Sequence, residues 1–329
     1  MFLSTLCHNP EVDTGSLVKC CIRSFSYRIF SSFFRLDRRG RLLSLRIARN
    51  LFTLIAYFAR SALRFVLEAW FGLTQKVLIT GITGLIGGIV YDNLKNDYEV
   101  CGLSRRKMER TGLRSFYGDI RELDKILPAF EGQDCVVHLA ADASMSAAWD
   151  SVLQSNIIGT YNVFEACRLN GVKRVVYASS NHVTGMYERD HPYHHVVRGE
   201  YDKVDVPVSK ISHRSEIRPD GYYGVSKAYG EALGRYYDEE YGMSVKCLRI
   251  GTVNSWDSPL RSIRHFATWL SHRDLAQLVR LCLETESAVF DIFYGVSDNK
   301  WSFWDIDHAT AIIGYHPQDN AEKYRSSYR

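Results

Sequence analysis

Tyr223 and Lys227 lie four residues apart in a stretch, Tyr222 to Tyr241, that reads as one long helix. At that spacing the two side chains share a helix face. A free phenol, with a pKa of about 10, is a poor base at neutral pH, but a neighbouring ammonium favours the phenolate. Tyr223 would then act as a general base, and the same lysine could hold a hydroxyl of a cofactor ribose. Such a pair also suits an ordinary surface helix, so its meaning depends on other residues. Ser180 closes the apolar run Arg174–Ser180 and is followed by Asn181 and His182. Ligands in open parallel sheets bind beyond the carboxyl ends of strands. There a serine hydroxyl can donate to an oxygen as a proton leaves it, while Asn181 and His182 fix neighbouring hydroxyls. Ser-Ser-Asn is equally good turn chemistry.

These groups need something to react with, and residues 77–87, Val-Leu-Ile-Thr-Gly-Ile-Thr-Gly-Leu-Ile-Gly, offer a place to hold it. An apolar strand pattern runs into Gly81, Gly84 and Gly87 and on into a helical run from Leu85 to Leu94. The first glycine allows the tight turn and the second lets backbone approach a pyrophosphate. The third lets the helix pack close, with its N-terminal N–H groups facing the anion. NAD-selective sites place an Asp or Glu about 20 residues further on, against the ribose 2′-hydroxyl. Here the second strand ends in Ser104-Arg105-Arg106-Lys107. A hydroxyl and a run of cations suit a 2′-phosphate, so NADP is favoured over NAD.

The elements that must position these residues alternate along the chain. Strand runs fall at roughly 76–80, 98–103, 114–117, 134–139, 174–179, 245–250 and 289–294, with helical runs at about 85–95, 121–129, 150–169, 222–241 and 273–285. That alternation predicts an α/β fold with a doubly wound parallel sheet. From Glu188 to Gly221, charge, Pro192, Pro207 and Pro219 and the lack of any period predict a long loop insert, 188–221. At that length it is expected to serve as a lid. His191, His194 and His195 cluster in it, but no cysteine or matched acidic spacing accompanies them, and no metal is expected. The chain's 8 cysteines form no Cys-x-x-Cys pair, which points to a reduced, cytoplasmic setting.

The charge is uneven. Residues 1–76 hold 12 Lys+Arg against 4 Asp+Glu, leaving 29 against 33 for the remainder. Arg46, Arg49, Thr53, Tyr57, Arg60 and Arg64 recur at three- and four-residue spacing among Leu, Ile, Phe and Val, a basic amphipathic helix over residues 42–73. Its longest uncharged apolar run, Leu51 to Ala59, falls short of the about 20 residues that a bilayer crossing needs. Membrane-surface contact, organelle targeting, a helix packing on a partner and a stretch upstream of the true start all remain open for residues 1–75. No nucleic-acid partner is expected.

Together, Thr80-Gly-x-x-Gly-x-x-Gly87 and Tyr223-x-x-x-Lys227 resemble the extended short-chain dehydrogenase/reductases, the NAD-dependent epimerase/dehydratase family, over residues 76–325. Gly118-Asp119-Ile120 resembles that family's adenine-contacting acidic position. His138-Leu139-Ala140-Ala141 resembles the strand passing the nicotinamide, and Asn156 the Asn that braces the active-site helix. Ser179-Ser180-Asn181-His182, Arg218 to Lys227, Leu248-Arg249-Ile250-Gly251, Thr268-Trp269-Leu270-Ser271 and Pro317 to Glu322 look like hexuronate dehydrogenases and haloarchaeal-type glucose-6-phosphate dehydrogenases. Gly185-Met186-Tyr187-Glu188 and Phe290 to Asp298 favour the haloarchaeal branch.

The resemblance implies an NAD(P)-binding Rossmann fold with a small C-terminal substrate lobe. It implies Tyr223 as base, Lys227 as its partner and Ser180 as the oxygen-binding hydroxyl. Cofactor contacts would come from Gly81, Gly84, Leu85, Ile86, Gly87, Arg105, Asp119, Ile120, Leu139, Ala140, Ala141, Tyr223, Lys227 and Ile250. Ser144, Ser180, Asn181, His182 and Thr252 would line a sugar. The family's anion-gripping arginine falls at Arg264 when aligned backward from Trp269, or at Arg261 when aligned forward from Gly251. Either would grip a carboxylate or phosphate in a fork. The expected activity is oxidation of C1 of an anionic hexopyranose, glucose 6-phosphate or a hexuronate, to a lactone, by a homo-oligomer. A nucleotide-sugar epimerase or dehydratase is the alternative. The short C-terminal region and the absence of an Asn-x-Tyr-Gly-Pro-like segment at Gly251–Trp256 count against it. A non-catalytic, membrane-associated NADP-binding protein is the alternative of another class, and it has no need of Tyr223, Lys227 and Ser180 together.

Overall fold

The apolar runs become seven strands: β1 Lys76–Thr80, β2 Glu99–Ser104, β3 Arg114–Tyr117, β4 Cys135–His138, β5 Arg174–Ser180, β6 Ser244–Ile250 and β7 Asp291–Gly295. They form one sheet in the order β3-β2-β1-β4-β5-β6-β7, with every pairing parallel. Strands β1, β4, β5 and β6 are buried on both faces, which is why they read as largely apolar runs without the alternation of a half-exposed strand, although β6 also buries Lys246 and Arg249. The strand order reverses between β1 and β4, so their carboxyl ends open the crevice where such sheets bind ligands. The computed structural model of the chain describes residues 74–107, 112–205, 207–285 and 289–328, and from Thr74 onward these form one compact unit.

The helices are α1 Leu85–Leu94, α2 Leu123–Phe130, α3 Trp149–Val152, α4 Gly159–Leu169, α5 Tyr193–Arg198, α6 Tyr222–Tyr241, α7 His265–Thr268, α8 His272–Glu284 and α9 Asp307–Ile313. A π-helical turn, Leu153–Ile158, joins α3 to α4. Val90 and Leu94 of α1 and Leu275, Leu278 and Val279 of α8 cover one sheet face. Ile126 and Phe130 of α2, Val163 and Phe164 of α4 and Tyr237 of α6 cover the other. Each layer buries one helix stripe, so the predicted doubly wound arrangement is the one formed.

The 188–221 insert departs from the expected loop. A 3₁₀ segment, Asn181–Arg189, leads into it, and α5 and a second 3₁₀ turn, Tyr201–Lys203, follow. Apart from Val196-Val197 its apolar residues are scattered singly, so no period shows in the sequence, yet Val196 and Ile211 pack with Tyr294, Phe303 and Trp304 in a cluster of their own. Ile211 also pairs with Trp304 in an isolated β-bridge. The insert and the chain after β7 thus build the small lobe together. Cys101, Cys135, Cys167, Cys247 and Cys282 are buried, and none of these five is in a disulfide. Among the described residues no helix is long and apolar enough to cross a membrane. The basic helix expected over 42–73, with its membrane or targeting readings, lies outside the described residues.

Candidate active site

The crevice is shaped by glycines. Gly81 has φ +72°, and a Cβ there would lie 2.8 Å from Ala140 N, just past β4. A Cβ on Gly87 would lie 2.5 Å from Gly81 O. Turn, strand exit and helix start are therefore stacked more closely than any side chain permits. Thr80 Oγ1 accepts the N–H groups of Leu139 and Ala140, both at 3.2 Å, and bonds His138 Nδ1 at 2.8 Å. Burial, with the charge of Lys227 adding to it, pushes His138 down to about 3, so its ring is neutral. Gly84 begins α1, and no side chain caps its N–H groups. Leu85 and Ile86 form the first turn and Leu139, Ala140 and Ala141 line the β4 exit, so this cradle fits a pyrophosphate.

At the exit of β2, Arg105 and Arg106 are exposed, and Ser104 Oγ donates to Arg106 O at 2.5 Å. Asp119 Oδ2 accepts from Arg121 Nε at 3.0 Å and Nη2 at 2.7 Å. Burial raises the Asp119 carboxyl, but the Arg121 bonds and the Arg105 charge outweigh it and hold it below the usual range. Ile120 is buried against Gly159, where a Cβ would come within 2.6 Å of Ile120 Cδ1. Ile250 is buried at the end of β6.

The start of α6 lies directly on the segment after β5. A Cβ on Gly224 would sit 2.3 Å from His182 O, and one on Gly185 would sit 2.2 Å from Asp220 Oδ2. Asn156, in the π-helical turn, donates to Ser226 Oγ at 3.0 Å and to Asp142 O at 2.9 Å and accepts from Asp142 N at 2.7 Å. Ser226 Oγ in turn donates to Tyr223 O at 2.7 Å. Asn156 thus braces the first turn of α6. The Tyr223 phenol lies beside the Ser180 side chain, which acts to lower its pKa. Lys227, 3% exposed, holds Nζ 5.6 Å from the Tyr223 ring centre and 5.0 Å from that of Tyr177.

The expected acidification of Tyr223 by Lys227 is not what this geometry gives. Burial pushes Tyr223 up to about 12, with the Ser180 side chain opposing, and pushes Lys227 down to about 7. Desolvation overrides the pairing because both groups share one dry pocket and Nζ stands over the ring. Near neutral pH the amine is only part charged, and further positive charge must enter the site before the phenolate is favoured.

On the substrate side, Asn181 Oδ1 accepts from Ser180 Oγ at 3.3 Å, while Asn181 Nδ2 is buried and unpartnered among the described residues. His182 Nδ1 bonds Asp220 Oδ2 at 2.8 Å. Thr252 Oγ1 bonds Thr268 Oγ1 at 2.8 Å and accepts from Arg264 Nη1 at 3.3 Å. Arg264 also forks onto Glu188, Nε to Oε2 at 2.7 Å and Nη2 to Oε1 at 2.6 Å. Arg261 instead stacks on the exposed ring of Trp256, 4.1 Å from its centre. Of the two arginines, Arg264 is the one joined to the pocket. Ser144 is exposed, in the turn after β4, bonded to Ser146 at 3.0 Å.

Sequence reasoning missed three partners: Asp220 behind His182, Glu188 on Arg264, and Glu231. Glu231 accepts from Ser179 Oγ at 2.6 Å and from Arg249 Nε and Nη2 at 2.8 Å each. All three pair across 18 to 76 residues of chain, where no local spacing could announce them.

The profile of the NAD dependent epimerase/dehydratase family matches residues 77–299. The chain belongs to this family. An NAD-dependent glucose-6-phosphate dehydrogenase of Haloferax volcanii is 35% identical over 265 residues, 77% of this chain and 96% of that protein. An L-arabinose 1-dehydrogenase (NAD(P)(+)) of the same organism is 38% identical over 257 residues, 75% and 97% of the two chains. The crystal structure of uronate dehydrogenase from Agrobacterium tumefaciens has a TM-score of 0.65 at 28% identity, covering 77% of this chain and 88% of that one, and a mutant of it was solved with NAD.

Proposed function

We propose that this chain is a nicotinamide-dependent dehydrogenase that oxidises C1 of an anionic hexopyranose to a lactone. The observation that carries this reading is the meeting of Tyr223, Ser180 and Lys227 at the end of β5, beside a glycine turn that fits a pyrophosphate. Gly81, Gly84, Gly87 and the first turn of α1 would hold the pyrophosphate, Leu139 to Ala141 the nicotinamide side, and Lys227 a ribose hydroxyl. Arg105 would meet a 2′-phosphate, so NADP is preferred to NAD. A bound oxidised nicotinamide supplies a hydride acceptor and a ring cation. In that setting Tyr223 takes the anomeric hydroxyl proton as the C1 hydride departs, and Ser180 donates to the same oxygen as it becomes a carbonyl. Asn181 Nδ2 and His182, held by Asp220, fix the neighbouring hydroxyls. The insert, whose Glu188 pairs with Arg264, would cover the sugar.

The experiment is a panel of anionic and neutral sugars crossed with NAD and NADP, read as steady formation of reduced cofactor. An epimerase, which regenerates its cofactor, would give none. Tyr223→Phe is expected to lower turnover by about 10²–10⁴-fold with cofactor affinity unchanged. Unchanged turnover would remove Tyr223 from the chemistry.

One observation favours a second reading, oxidation of a neutral aldose. The Arg264 fork already holds a carboxylate, so a substrate anion must displace Glu188, whereas a neutral sugar could hydrogen-bond to the pair as it stands. We further propose a homo-oligomer, because the adjacent helices α4 and α6 expose Tyr161, Leu169, Tyr222, Val225, Tyr236 and Tyr241.

A further inference from the structure

We propose that His191, His194 and His195 bind one divalent transition-metal ion at the start of the insert. One ligand atom from each lies within 4.8 Å of the others. In a tetrahedral site with metal–nitrogen bonds of about 2.0–2.1 Å, ligand atoms stand about 3.4 Å apart. The three must therefore close by little more than an ångström, within reach of small side-chain rotations.

Two further features set this group apart from a chance cluster. His195 Nδ1 bonds Glu200 Oε2 at 2.7 Å, and Lys203 Nζ holds the same oxygen at 3.1 Å. A carboxylate on Nδ1 fixes the tautomer and leaves the Nε2 lone pair free to ligate, the arrangement that backs metal-bound histidines. His194 Nδ1 is sealed from solvent without a hydrogen-bond partner among the described residues, a cost that ligation or a turn of the ring onto an ion would relieve. Asp190, the nearest carboxylate in sequence, is spoken for by Arg218. Three imidazoles with a remaining position for water suit zinc, cobalt, nickel or copper(II) rather than calcium or magnesium, which want oxygen.

The place gives the ion something to do. Val196 anchors α5 in the small lobe, Gly199 lies against Ile263, where a Cβ would come within 2.6 Å, and Glu188 stands three residues before His191. An ion here would fasten the first turn of the insert beside the segment that carries Arg264.

The test uses the full chain, stripped with a chelator and titrated with zinc chloride by calorimetry and with cobalt(II) chloride by visible absorption. One zinc per chain and a cobalt d–d spectrum of nitrogen ligation are expected. Both should be lost in His191→Ala/His194→Ala/His195→Ala, and Glu200→Gln should weaken binding about 10–100-fold. Thermal unfolding without metal checks that the variants fold. No saturable binding by the wild-type chain overturns the proposal whatever the variants do. Undiminished binding in the folded triple variant does so too, by placing the ion elsewhere.

Discussion

Lys227 carries an amine in a pocket where charge is costly, and that cost is measurable without any substrate. Its folded pKa, about 7, lies below its ordinary 10.5, so between these values the unfolded chain binds a proton that the folded chain lacks. Stability from this residue therefore rises with pH across that window and is level below it. Tyr223 works the other way, its rise from 10 to about 12 removing stability as pH climbs through that range. In urea unfolding of the cofactor-free protein from about pH 7 to 10, Lys227→Met should flatten the rise seen in the wild type, at about 1.4 kcal/mol per unit of pKa separation. Parallel slopes would mean that Lys227 keeps its proton. Glu188 can be tested at the same scale. Glu188→Gln frees the Arg264 fork, so kcat/KM for glucose 6-phosphate or glucuronate should rise about tenfold relative to arabinose, the gain expected from roughly 1.4 kcal/mol of restored charge pairing. An unchanged ratio would show that the fork does not choose the substrate. Tyr223, Lys227 and Ser180 stand out in the sequence because residues of these types at this spacing suggest a chemistry. Glu188 and Asp220 were not, because a carboxylate gains its meaning only from the cation or imidazole that folding brings to it.

The helix α6 carries Tyr223 and Lys227, and its place on the sheet is fixed by a buried ion pair as well as by apolar packing. Glu231 and Arg249 are 3% and 1% exposed at the side chain, 2.8 Å apart, and Arg249 Nη1 also donates to Tyr294 Oη at 3.1 Å. Glu231→Gln leaves that guanidinium without its counter-charge and should cost about 3–5 kcal/mol, read in urea unfolding, because a buried charge loses its partner. A loss below 1 kcal/mol would show that water reaches Arg249. Among elements, the long helices and the strands buried on both faces were readable, since burial imposes an apolar pattern over many residues. The short helices α5, α7 and α9 were not, because four to seven residues carry too little of a helical period.

At the scale of the whole molecule, the alternation of strands and helices was enough to foresee a doubly wound parallel sheet, while its strand order is seen only in the fold. The short helix in the insert is not legible in the sequence, because part of the insert's packing is made with the end of the chain, about 100 residues away. The tyrosines on the outer faces of α4 and α6 lead to a further expectation. Sedimentation of the full chain should give a mass at least twice 37.7 kDa, falling toward a single chain in Val225→Glu/Tyr236→Glu. A wild-type mass of one chain would overturn the proposed assembly.

The π-helical turn at Leu153–Ile158 holds one residue more than an α-helix would fit in the same span. Removing a residue there would return the segment to ordinary winding at little intrinsic cost. Helices α3 and α4 would keep their relative phase, and only the side chains inside the turn would be displaced. Asn156, inside that turn, would be moved off Asp142 and Ser226, and α6 would lose that support. That slack turn sets where Asn156 points, and a single deletion in it should disable the enzyme while leaving its circular dichroism almost unaltered.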